Sequence, residues 1–88
     1  MSREVVIVHA VRTPFGKFGG ALNSLSAVDL GAHVIREVLK PFENVNSENI
    51  DEVIMGIVVN AWVGQIPSRQ ATAKAGLSVH VKSTTVNK

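Results

Sequence analysis

Cysteine is absent from the 88 residues. No disulfide can staple the chain, no thiolate can ligate a metal, and no Cys nucleophile lies within it. The same absence leaves the redox compartment unread. Aromatics are scarce, at 5%, and no concentration of basic residues accompanies them. Nine Lys and Arg against seven Asp and Glu leave a net charge of +2. The cations are scattered over Arg3, Arg12, Lys17, Arg36, Lys40, Arg69, Lys74, Lys82 and Lys88. Nucleic-acid binding asks for a concentrated basic face, often with stacking aromatics, so no nucleic-acid partner is expected. No apolar run approaches the roughly 20 residues that span a bilayer, so no membrane partner is expected either. The chain enters an apolar stretch directly after "MSRE", too early for the layout of a signal peptide. A long Arg- and Ser-rich transit stretch is missing as well. The default expectation is a cytoplasmic location.

What is present has a globular balance, with 45% apolar and 18% charged residues. The length allows one small domain at most. A chain of this size buries only roughly 60–65% of the surface it exposes unfolded, so any core is thin.

Residues 4–11, "EVVIVHAV", are β-branched and almost continuously apolar, which predicts a strand covered on both faces. Pro14, Gly16, Gly19 and Gly20 make "RTPFGKFGG" a loop. "SAVDLGAHVIREVLK" predicts an amphipathic helix. Ser26 and Asp29 form a capping box with Asp in place of the usual Glu or Gln, and Pro41 stops the helix after Lys40. Val28, Gly31, Ile35 and Val38 share one side; Asp29, His33, Arg36, Glu37 and Lys40 share the other. After the polar connector "FENVNSENI", the stretch "DEVIMGIVVN" predicts a second strand buried on both faces. "AWVGQI" then turns the chain into a short helix, "PSRQATAKAG", with Pro67 at its first position and Gly76 at its left-handed end. Ala71, Ala73 and Ala75 suggest close approach of other backbone. Thr84, Thr85 and Val86 open a third strand.

The order strand, helix, strand, helix, strand argues an α/β fold with mostly parallel pairing. Right-handed crossovers sharpen the expectation. Strands lying side by side in sequence order would put both helices on one face and leave the other bare. A third strand on the far side of the first would split the helices and half-cover each face. In both arrangements the core needs more protein, so residues 1–88 are expected to be an incomplete α/β domain.

Candidate sites are few. "FGKFGG" fits neither the P-loop nor the dinucleotide fingerprint, and a structural loop is the favoured reading. Asp29, His33 and Glu37 recur at a spacing of four, as metal ligands can. Arg36 and Lys40 share that face, however, and charge pairing along the helix explains the stripe. His9, near the end of the first strand, has no identifiable nucleophile beside it, and a buried, hydrogen-bonded histidine is favoured. Ser24, Ser26, Ser68 and Ser78 lack the GxSxG elbow. The residues themselves assemble no catalytic constellation. The chain also ends on "STTVNK", with no turn to close its last strand, which suggests an element left unfinished.

In order and spacing the motifs resemble a known family. "VVIVHAVRTPFGKFGGAL" is similar to the opening strand and loop of the thiolases, the acetyl-CoA C-acyltransferases. "GIVVNAWVGQIPSRQATAKAGL" is similar to their second strand, loop and short helix, and "TTVNK" to the run into their active-site strand. The resemblance implies the N-terminal part of an enzyme that exchanges acyl groups between coenzyme A thioesters in fatty acid metabolism, with no tightly bound cofactor. The nucleophilic cysteine would follow shortly after Lys88. The family's remaining catalytic groups would lie further on, so no catalytic, cofactor-binding or metal-ligating residue is expected in this chain. The resemblance further implies that Asn87 and Lys88 help position the active-site strand. Asn60, Gln65 and Arg69 would support subunit contacts in a homo-oligomer, a dimer or homotetramer; simple loop hydrogen bonding is the competing reading for them. The chain's first partner would be the remainder of its own polypeptide. A non-catalytic thiolase-like assembly fragment is the alternative function.

Overall fold

The computed structural model describes residues 3–42, 44, 46–59 and 64–87. Its elements run α1 (Ala27–Leu39), β1 (Glu52–Ile57), α2 (Pro67–Lys74) and β2 (Lys82–Asn87), with short 3-10 turns at Lys40–Phe42 and Ser47–Asn49. The architecture is α/β, as expected.

Helix α1 starts where the capping box placed it. The Ser26 hydroxyl accepts from the Asp29 amide at 3.0 Å, and the Asp29 carboxylate accepts from the Ser26 amide at 3.1 Å. Two of the orphan donors at the helix start are thereby satisfied. The helix gives way to the 3-10 turn just before Pro41, which has no amide to continue the ladder. Helix α2 starts on Pro67 and ends before Gly76, whose φ of +86° is the left-handed conformation glycine takes freely. The Leu77 amide reaches back to the Thr72 carbonyl at 3.3 Å and closes that end.

Strands β1 and β2 pair in parallel, from Glu52 opposite Lys82 to Ile57 opposite Asn87. The sheet has two strands where the sequence predicts three, and one of its faces is open. Val53, Met55, Ile57, Ser83 and Thr85 point toward the helices and are half-buried, while Glu52, Ile54, Gly56, Lys82, Thr84 and Val86 line an open face. Ile54 is 65% exposed, so β1 is covered on one side only and not on both. The physical reason is that α1 and α2 both pack on that one face, α1 through Gly31 against Met55, and no other described element covers the opposite one.

The core is small. Ala32, Ala71 and Val81 are its buried apolar side chains, joined by Ser68 and Thr72. On α2 the buried face is Ser68, Ala71 and Thr72, the i, i+3, i+4 pattern of a helix; Ala73 is exposed. Gly31 of α1 is where the two helices meet, since a Cβ built there would stand 3.2 Å from the Ala71 Cβ and 2.6 Å from the Met55 Cε. Backbone does come close to α2, at Ala71.

The predicted first strand does not form. Residues 4–11 carry no helix or strand and are exposed along their length. β-Branched composition makes a strand favourable only beside a hydrogen-bonding neighbour, and these residues have none. His9 accordingly is exposed and not buried; its ring meets Phe42 edge-on, with centroids 6.2 Å apart. The glycine-rich loop closes through its own turns, with the Gly20 amide donating to the Lys17 carbonyl at 2.8 Å.

Candidate functional site

In parallel α/β sheets ligands gather at the carboxyl ends of the strands. Here that end is defined by Ile57 and Asn87, which lie opposite each other, and by the start of α2. The loop between β1 and α2 approaches the helix through two left-handed residues, Gly64 at φ +80° and Ile66 at φ +47°. A β-branched residue in that region is strained, at a cost of about 1–3 kcal/mol, so the surroundings must hold it. Gln70 contributes, packing its side-chain amide over Gly64 and donating to the Gln65 carbonyl at 2.6 Å.

Arg69 holds the segment that leads into β2. Its guanidinium donates to the Val81 carbonyl at 2.8 Å and to the Val79 carbonyl at 3.2 Å. A planar fork suits two carbonyls of one turn, and its charge strengthens both bonds. Ser68 ties the start of α2 to β2 directly. Its amide donates to the Thr85 hydroxyl at 3.2 Å, and the two hydroxyls lie 2.6 Å apart. A cleft of about 190 Å³ opens beside them, lined by Ala27, Leu30, Gly56, Ile57, Pro67 and Thr85 among others. Thr85 brings the one polar side chain among its lining residues. The cleft is smaller than the roughly 300–1,000 Å³ of a typical ligand pocket and holds no acid–base pair. It can orient a neighbouring strand end but cannot by itself perform proton transfer or thiol chemistry.

A roomier basin of about 520 Å³ lies between the 12–25 loop and α1, with Asp29, Arg36 and Lys74 on its wall. Its charges are already engaged. Lys74 pairs with Asp29, and the Arg36 guanidinium donates to the Lys74 carbonyl at 3.2 Å. The Lys74 ammonium, followed by the Ser26 amide and hydroxyl, lowers the Asp29 pKa to about 2. In the stripe considered for metal binding, Glu37 pairs with Lys40, and among the described residues no three His, Cys, Asp or Glu side chains group to hold a metal ion.

Of the five residues singled out from the sequence, Gln65 and Asn87 fall at this carboxyl end and are exposed, whereas the Arg69 guanidinium reaches to the carbonyls that precede β2, at its amino end. Asn60 and Lys88 lie outside the described residues. Ser68 and Thr85 were missed. One local signal pointed to them: "QIPS" starts a helix with Ile in the capping position, so the cap has to come from another element.

A family model described as "Thiolase, N-terminal domain" matches residues 5–88. Among similar proteins, an acetyl-CoA acetyltransferase of Escherichia coli (strain K12) is 50% identical over 86 residues, covering 98% of this chain and 22% of that protein. One from Cupriavidus necator is 51% identical over 85 residues, 97% of this chain and 21% of the relative. Among solved structures, the crystal structure of Acat5 thiolase from Ascaris suum in complex with coenzyme A superposes with a TM-score of 0.83 at 40% identity, over 91% of this chain and 21% of that one. The chain thus spans about a fifth of the length of the relatives it matches.

Proposed function

The chain belongs to the thiolase family through its N-terminal domain, and from that premise we propose that it is the N-terminal part of an enzyme that exchanges acyl groups between coenzyme A thioesters. In this reading a thiolate attacks a thioester carbonyl and expels coenzyme A, or attacks the 3-keto carbonyl of a 3-ketoacyl thioester and expels the acetyl-CoA enolate. A second acceptor, the enolate or coenzyme A, then takes the acyl group and frees the thiolate. The chain has no cysteine of its own, so the thiolate and the groups that activate it come from the rest of the protein. What this chain contributes is a scaffold, in which β2 runs parallel to β1 with its carboxyl end braced by α2. That bracing, in a chain overlaying 91% of its length on a thiolase solved with coenzyme A, is the observation that supports the reading.

The same reading makes coenzyme A thioesters the substrates and the remainder of the polypeptide the first partner. It brings with it a homo-oligomer, a cytoplasmic location, a part in fatty acid metabolism and no tightly bound cofactor. Asn87 and Lys88 then support the active-site strand, and Asn60, Gln65 and Arg69 the contacts between subunits. Arg69 does so indirectly, since its guanidinium is held by carbonyls of its own chain.

The test is coenzyme A-dependent cleavage of acetoacetyl-CoA, followed for the 88-residue chain alone and for the complete protein. The chain alone is expected to be inactive and the complete protein active. Turnover by the chain alone would refute the division of labour. A folded but inactive complete protein would favour the non-catalytic assembly role instead.

A further inference from the structure

The geometry points to Thr85 as a positioning residue: its hydroxyl reaches from β2 to cap the start of α2 and fixes where the carboxyl end of β2 stands. This inference rests on the reading above, in which the reacting group is held at that strand end.

The donors at the two helix starts find their partners in different ways. The first amides of a helix have no partner within it. In α1 two of them, the Ser26 and Asp29 amides, are satisfied locally by the capping box. In α2 the capping position holds Ile66, which has no side-chain oxygen. Pro67 has no amide to satisfy. The Arg69 and Gln70 amides both turn back to the Ile66 carbonyl, at 3.0 and 3.2 Å. That leaves the Ser68 amide, on a residue that is 0% exposed and out of reach of solvent. A buried amide without a partner costs about 1–3 kcal/mol. Thr85 supplies the missing acceptor from another element, and the Ser68 hydroxyl adds the contact at 2.6 Å. The cap is therefore borrowed from the strand.

Borrowing it has a mechanical consequence. Thr85 lies opposite Met55 in the parallel register and two residues before Asn87. One hydroxyl thus locks the helix start, and with it the strained approach at Ile66, to the last turn of the pleat in β2. A locally capped helix would leave β2 held to α2 through Arg69 at its entry alone, with its carboxyl half free to shift against the helix start. Catalytic geometry tolerates little of that, since a displacement of about 1 Å can cost on the order of 100-fold in rate.

The experiment uses the complete protein. Thr85→Val keeps the β-branched shape and removes the acceptor; Thr85→Ser keeps the hydroxyl; Ser68→Ala keeps the amide bond and removes the hydroxyl contact. We expect kcat to fall about tenfold in Thr85→Val and about threefold in Ser68→Ala, with KM within twofold and Thr85→Ser close to the parent. Hydrogen exchange at the Ser68 amide should quicken in Thr85→Val. An unchanged kcat per folded molecule in Thr85→Val would overturn the proposal, even with a lowered Tm, because it would make the cap structural only. If Thr85→Val fails to fold, Thr85→Ala, read by the same kcat and Ser68 amide exchange, decides. A parent protein without acyl transfer would instead sink the functional reading, and the Ser68 exchange rate would then test the cap by itself.

Discussion

Separating these 88 residues from the rest of the protein is the most informative perturbation, because its effect can be sized from the surface. A compact monomer of 9.4 kDa exposes about 5,000 Å² by the usual scaling of area with mass. This chain exposes 7209 Å². The excess is about 2,200 Å², of which a little over half is apolar in ordinary proportion. At about 25 cal/mol per Å², burying that share is worth on the order of 30 kcal/mol. Net stability of a whole domain is only about 5–15 kcal/mol, so the deficit exceeds anything the small core can absorb. The radius of gyration agrees: 14.2 Å against about 12 Å for a compact chain of this length. The isolated chain is therefore expected to keep helical far-UV circular dichroism while showing no cooperative heat-absorption peak. It should bind the dye ANS through surfaces such as Val5, Ile7, Phe15 and Ile54, all among its exposed apolar residues. Calorimetry combined with sedimentation decides the matter. A sharp, concentration-independent transition by a monomer would refute the reasoning, since it would mean that the uncovered face needs no cover.

Two further expectations concern α1. Gly31→Ala gains about 1 kcal/mol of helix propensity, yet its new methyl meets Ala71 at 3.2 Å and displaces the end of Met55. With overpacking costing about 1–3 kcal/mol, the complete protein should lose about 1 kcal/mol net, and a urea midpoint that rises would show the helix crossing to be looser than described. Asp29 has its pKa lowered from 3.8 to about 2 by Lys74 and Ser26, so folding favours its charged form, and its contribution is present above about pH 4 and lost as pH falls through 2. Helical circular dichroism of the chain should decline over that window and do so less in Asp29→Asn; identical pH profiles would count against the pairing.

What could be read from the sequence is what is local. The capping box of Ser26 and Asp29, the stop before Pro41, and the Pro67 and Gly76 ends of α2 are all settled within a few residues, and each is found in place. Incomplete cover of the sheet was legible too, because the order of elements supplies only two helices for two faces. The rest depends on neighbours distant in the chain. Residues 4–11 have a strand's composition but no partner edge, so composition misled. Arg69 looked like a loop or interface residue, and nothing nearby announces that its targets are carbonyls 10 and 12 residues on. Thr85 read as strand filler, when its hydroxyl serves a helix 17 residues earlier.

These long-range bonds share a direction. Arg69 and Ser68, neighbours at the start of α2, both reach forward, one to the segment entering β2 and the other to its carboxyl half. Helix α2 therefore grips β2 at two heights, while α1 grips α2 through Gly31, Asp29 and Arg36. The helical side of the chain is thus closed and internally referenced, and the sheet's other face is left to Ile54, Gly56 and Val86, exposed among the described residues. A Cβ built at Gly56 would meet no described atom nearer than the Val86 carbonyl at 3.9 Å, so an element covering that face could lie close to the backbone. Rigidity on one face and vacancy on the other is the division a scaffold needs if the strand end is to be placed by this chain and the chemistry brought by what covers it.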